Sequence, residues 1–194
     1  MYRLITVVLL GAFLGGCVAY KGVAPGESNY GDLKVSTSQA WNQAPAALTP
    51  AARAGSKTWT QDGLLLDRLI IIPAVPDGES IFRVRSKNDA LPVFEANMLP
   101  NEIEELTESS VTKLFGEGEV IVETRNLRPH KFGANAGFLF DLQVAVSDGP
   151  DYGGITGAFV ANDKLYLLVY FGAQPYYFDK HRDEALAIIR SASI

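Results

Sequence analysis

The chain has only two imidazoles, His130 and His181. Zinc sites draw mainly on His and Cys. Neither HExxH nor CxxC occurs, so both histidines read as exposed polar side chains and no metal site is expected. Carboxylates are plentiful, at 22 Asp and Glu. Acid–base hydrolysis would need two of them across a cleft, one with a raised pKa. Glu123 and Asp141 fall on segments expected to be neighbouring strands, which makes them the best pair. With 22 acids, however, some pair must lie close by chance. No GxSxG, P-loop or GxGxxG pattern organises the serines and glycines. Gly149-Pro150-Asp151-Tyr152-Gly153-Gly154 lies between strands and reads as a turn. No catalytic residue and no cofactor is assigned, and the chain reads as a non-enzyme.

Aromatic and basic side chains offer binding chemistry instead. Tyr166, Tyr170, Phe171, Tyr176, Tyr177 and Phe178 crowd the end of the chain. Both faces of the strand around residue 168 are apolar, so most of these rings belong to a core. Tyr176 and Tyr177 lie just beyond it, where they would rim a groove for a small apolar ligand. Arg125, Arg128, His130 and Lys131 precede a Gly133–Gly137 loop and would offer cationic contacts to anionic headgroups or an envelope protein. A solvated loop is the plainer account of them.

The N-terminus carries an address. Arg3 gives a positive start, and Leu4–Leu14 is an apolar run. It falls short of the roughly 20 residues that span a bilayer as a helix. Leu14-Gly15-Gly16-Cys17 resembles the lipobox of bacterial lipoproteins, and Cys17 is the chain's only cysteine. The resemblance implies a thioether-linked diacylglycerol on Cys17, acyl chains such as palmitate, and a membrane anchor. Two or three such chains hold a protein stably. Val18, where sorting to the inner membrane would favour Asp, implies an outer-membrane lipoprotein facing the periplasm. With Cys17 acylated, no thiol remains for a disulfide. The expected organisation is a signal peptide over 1–16, a lipidated Cys with a flexible tether over 17–29, and one globular domain over 30–194.

These side chains would be positioned by strands above all. Leu64–Ile72 suits a buried strand and Ile81–Arg85 a half-wet one. Glu119–Leu127, Phe138–Val146, Gly157–Val160 and Leu165–Phe171 are strands parted by turn residues, with Asn162-Asp163 as a hairpin turn. Ala40–Ser56 reads as an irregular excursion or a short helix. Pro100–Phe115 is a helix, with Ile103, Leu106, Val111, Leu114 and Phe115 on one stripe. Asp179 would cap a second helix running to about Ser191. Several strands follow one another without an intervening helix. This predicts an α+β fold, a mainly antiparallel sheet of about six or seven strands flanked by helices.

Trp59-Thr60-x-Asp62-Gly63-x-x-Leu66-Asp67, Leu91-Pro92-x-Phe94, Asn97-Met98, Glu102-x-x-Glu105-Leu106 and Lys164-Leu165-Tyr166 together resemble lipoproteins of alphaproteobacteria. The closing strand–strand–helix is similar to the α/β/α sandwich of the photosystem PsbP proteins and the Ran-binding Mog proteins. That resemblance implies a binding or assembly role. Composition agrees with a folded domain: 47% of residues are hydrophobic and 20% charged. A net charge of -5 excludes a general nucleic-acid binder, which needs a basic face for phosphates. The reading is a membrane-anchored, non-enzymatic binding or envelope-assembly module. The alternatives are a small apolar-ligand carrier and an envelope hydrolase using Glu123 and Asp141.

Overall fold

The computed structural model describes residues 19–83, 90–115 and 118–194. Cys17, the signal segment before it and the end of the expected Ile81–Arg85 strand lie outside these residues.

Among the described residues, ten strands and two long helices form three layers. Eight strands make one antiparallel sheet: β1 (Lys21–Val23), β4 (Trp41–Gln43), β5 (Lys57–Thr60), β6 (Asp67–Pro76), β10 (Lys164–Ala173), β9 (Tyr152–Ala161), β8 (Asn135–Val146) and β7 (Val120–Phe132), in that spatial order. A separate hairpin pairs β2 (Gly26–Tyr30) with β3 (Leu33–Thr37). Helix α1 (Pro100–Phe115) turns Ile103, Leu106 and Val111 onto one sheet face. Helix α2 (Tyr177–Arg190) turns Ala185, Ile188 and Ile189 onto the other, where the β2–β3 hairpin joins it. The α+β sandwich expected from the sequence is present, with eight strands in its main sheet.

Strand β10 is the middle of this arrangement. Its apolar residues are buried on both faces: Leu165, Leu167 and Val169 pack towards α1, and Tyr166, Leu168 and Tyr170 towards α2. The β9–β10 turn puts Asn162 and Asp163 at φ 52° and 58°, the left-handed pair that matches strand twist in a two-residue hairpin. Helix α2 comes unusually close to the sheet. A Cβ on Gly157 would collide with Ile189, and a Cβ on Gly172 would collide with the Phe178 backbone. Glycine at these two positions lets the helix backbone settle on the strands.

Several expectations change. The segment read as a tether to Asn29 is ordered from Lys21, where β1 pairs with β4, and continues into β2. Its small residues hid strands whose partners come later in the chain. Ala40–Ser56, read as irregular or a short helix, does hold a short 3-10 helix at Ala46–Leu48, and it also contributes the unexpected strand β4. Ile81 and Phe82 are both buried in a bend, with no wet face between them. Tyr152, Gly153 and Gly154, read as part of a turn, open β9. Asp179 lies inside the first turn of α2, and Tyr176 is the residue at its cap, making no side-chain capping bond.

Candidate functional site

The Trp59–Asp67 stretch singled out in the sequence is a loop built around one buried carboxylate. Asp67 accepts hydrogen bonds from the Thr60 hydroxyl at 2.9 Å, the Gln61 amide at 2.8 Å and the Asp62 amide at 2.7 Å. The Thr60 hydroxyl in turn accepts from the Gly63 amide at 2.8 Å, and Gly63 takes the φ of 122° that closes the turn. Leu66 then accepts the Ala173 amide at 2.8 Å, which fixes the loop to β10. The motif thus specifies a turn, and the turn places two things: Asp62 on the α2 side and Leu64-Leu65 on the α1 side.

On the α2 side, the Asp62 carboxylate receives the Lys180 ammonium at 2.7 Å and lies 2.7 Å from His181 Nε2. The Lys180 hydrogen bond, with His181 adding to it, holds the Asp62 carboxyl below its usual range against a smaller opposing effect of burial. Asp62, Asp67 and His181 bring one ligand atom each within 4.8 Å of one another, as a metal site would require. Asp67 already accepts three hydrogen bonds, Asp62 is paired with Lys180 and His181 Nε2, and the Lys180 ammonium would repel a cation. These residues fit a lock between the loop and the first turn of α2, and they do not fit a metal.

On the α1 side lies a cleft of about 290 Å³. Leu48, Leu64, Leu65, Ile70, Phe82 and Phe115 wall it, and Leu65 at its lip is 78% exposed. The cleft has one charged wall residue among the described residues, Arg68. Its guanidinium lies 5.2 Å from the Phe115 ring, 5.5 Å from Phe171 and 5.9 Å from Tyr152. Arg68 Nε is buried without a hydrogen-bond partner among the described residues. Nor does the side chain enter an ion pair among them. Burial pulls its pKa below the ordinary arginine value, opposed by Tyr152 beside it. Rings facing a guanidinium supply cation–π attraction, but they leave the buried Nε–H donor unanswered among the described residues.

This architecture has a solved counterpart. The chain is similar to the solution structure of cyanobacterial PsbP (CyanoP) from Synechocystis sp. PCC 6803, with a TM-score of 0.59. The match covers 93% of this chain and 95% of that one at 10% identity. The fold is PsbP-like. No protein-family model matches the sequence, and no curated protein matches it.

The PsbP-like fold places the sequence candidates as follows. Arg125, Arg128, His130 and Lys131 lie on β7, the edge strand of a long hairpin, and the expected Gly133–Gly137 loop shrinks to the tight β7–β8 turn. A register shift between Arg125 and Arg128, with Asn126 at φ 59°, brings Asn126 and Arg128 onto the Asp141 carboxylate. Arg128 is committed to that carboxylate at 2.9 Å and to the Asn126 carbonyl at 2.7 Å. Arg125 is exposed, with a long 3.4 Å contact to Gln143. His130 is partly buried, edge-on to Phe132 at 4.8 Å. The hydrolase pair is not assembled: Glu123 is exposed opposite Gln143, while Asp141 is bound by Arg128 and by Asn126 at 2.8 Å.

Tyr176 and Tyr177 meet edge to face at 5.2 Å, and Lys180 lies 5.8 Å from each ring. Tyr170 donates its hydroxyl to the Tyr177 carbonyl at 3.0 Å, and Phe178 stacks on Tyr170. These aromatics seat the start of α2, and the apolar cleft beside Arg68 opens on the opposite face of the sheet. Sequence reasoning missed that cleft. Its one available signal was an arginine inside a segment read as a buried strand.

Proposed function

We propose that the chain is a membrane-anchored, non-enzymatic binding or envelope-assembly module, acylated on Cys17 and held at the outer membrane facing the periplasm. The lipobox-like Leu14–Cys17 and the PsbP-like fold support this reading. The observation that carries it is the start of β1 at Lys21, four residues after Cys17. At about 3.3–3.6 Å per residue, an anchor on Cys17 would hold the sheet edge within about 14 Å of the bilayer surface. A partner would then be met close to the membrane. The β7 edge, at the opposite end of the sheet from β1, offers a contact surface facing away from the anchor, with Ile121 67% exposed beside Glu123 and Arg125. An exposed apolar residue ringed by charge is a common feature of such contacts.

The test is crosslinking in the native envelope from a photoreactive residue replacing Ile121 in the full-length chain. A discrete adduct is expected, weakened by Arg125→Glu with the thermal midpoint unchanged. An adduct indifferent to Arg125→Glu moves the contact to another surface. No adduct from Ile121 or from any other exposed β7 position removes the binding-module reading.

A further inference from the structure

The Arg68 cleft is unexplained by the tethered-module reading and independent of it. An arginine on a covered strand normally meets a carboxylate, because desolvating a lone guanidinium costs stability unless a counter-charge answers it. Arg68 has three aromatic rings and no ion-pair partner among the described residues. Its Nε is buried and unpaired among them. The same side chain forms the polar end of an apolar cleft that reaches solvent past Leu48 and Leu65, 45% and 78% exposed. Apolar walls, one cation and an open lip together describe a receptor for something apolar along its length and anionic at one end.

We infer that this cleft binds a single-chain amphiphile with a carboxylate head, the head on Arg68 and the tail against Ile70, Phe82 and Phe115. The planar guanidinium fork matches a carboxylate in two parallel hydrogen bonds. One positive charge among the described wall residues matches a monoanion and leaves a dianionic phosphate half-neutralised. The volume of about 290 Å³ equals roughly ten water molecules at about 30 Å³ each, room for a medium-length alkyl chain. Leu64 and Leu65 reach the cleft because the Asp67-centred turn puts them there, so the sequence motif and the binding wall are one construction.

The experiment photolabels the full-length chain in mild detergent with decanoate carrying a diazirine at its far end. Unlabelled decanoate and decanol serve as competitors. Labelled peptides should be those that hold Ile70, Phe82 and Phe115, where the tail end lies, and decanoate should compete about tenfold better than decanol. Arg68→Gln should erase that preference. Should Arg68→Gln fail to fold, Leu65→Glu decides: the exposed lip residue leaves the thermal midpoint unchanged and its charge lowers labelling several-fold. Cys17→Ser should label like the unaltered chain, which separates this site from the anchor. Labelling confined to other segments, or decanol competing as well as decanoate, overturns the inference. So does wild-type labelling in Leu65→Glu.

Discussion

Asp67 and Arg68 are consecutive residues whose charges meet opposite treatment: the Asp67 carboxylate has three donors within 2.9 Å, while Arg68 Nε, across the sheet, is buried with no partner among the described residues. The pleat of β6 separates them, since successive side chains leave a strand on opposite faces. One residue is therefore a structural anchor and the other a binding group, and their substitutions should behave differently.

Replacing Asp67 by Ala strands the Gln61 and Asp62 amides and the Thr60 hydroxyl in a site where Asp67 is 1% exposed. Leaving buried donors unanswered should cost about 2–4 kcal/mol. At about 2–4 °C per kcal/mol for a chain of this size, calorimetry should record a midpoint lower by at least about 4 °C. An unchanged midpoint would show that the loop does not depend on this carboxylate.

Arg68→Met keeps an unbranched side chain and removes a charge lacking an ion-pair partner among the described residues. Without ligand, the variant should match the unaltered chain within about 1 kcal/mol or exceed it, because a buried charge without a counter-charge is a net cost. Thermal melting of delipidated protein checks this. A large loss would make the guanidinium a structural group, held by Phe115, Phe171 and Tyr152.

Glu184 predicts an acid-sensitive contact between α2 and β3. Burial would raise its pKa, but it accepts from the Ser38 hydroxyl at 2.7 Å, the Thr37 hydroxyl and Ser38 amide at 2.8 Å, and the Gln39 amide at 3.2 Å. Those bonds outweigh burial and hold the carboxyl below its ordinary 4.5. A depressed folded-state pKa contributes stability above the unfolded value, and that stability is lost as pH falls through the folded one. Glu184→Gln should melt lower at neutral pH and show a flatter decline between about pH 5 and pH 3. Parallel curves for the two proteins would remove Glu184 from the acid response.

Cys17→Ser should abolish incorporation of labelled palmitate and leave the precursor at full length on a gel. Continued incorporation would refute acylation at that residue.

What the sequence revealed was local. Helix α1 announced itself through Ile103, Leu106 and Val111 at helical spacing, and the β9–β10 hairpin through Asn162-Asp163 between two apolar runs. Strands β1, β2 and β4 were missed because Lys21–Val23, Gly26–Tyr30 and Trp41–Gln43 are short and weakly apolar, and only pairing defines them. Lys34, for instance, exchanges backbone hydrogen bonds with Ser193, almost the whole chain away. The site was less legible still. The Trp59–Asp67 pattern was visible, but its spacing does not reveal that Asp67 faces one side of the sheet and Arg68 the other. Tyr176 and Tyr177 attracted notice for their rings, yet ring content does not distinguish a groove from a helix seat.

Strand β1 also has a mechanical meaning. Any load applied to the chain before Lys21 enters the sheet through this three-residue edge strand, joined to β4 by the pairs Lys21–Gln43, Gly22–Asn42 and Val23–Trp41. Such an edge opens at far lower cost than the covered strands behind it. Peeling it away would pay out about 10 Å of slack at about 3.3 Å per residue while the eight-residue β6–β10 pairing stays closed. Under such a load the sheet edge would be the yield point, lengthening the reach of the chain before the fold opens.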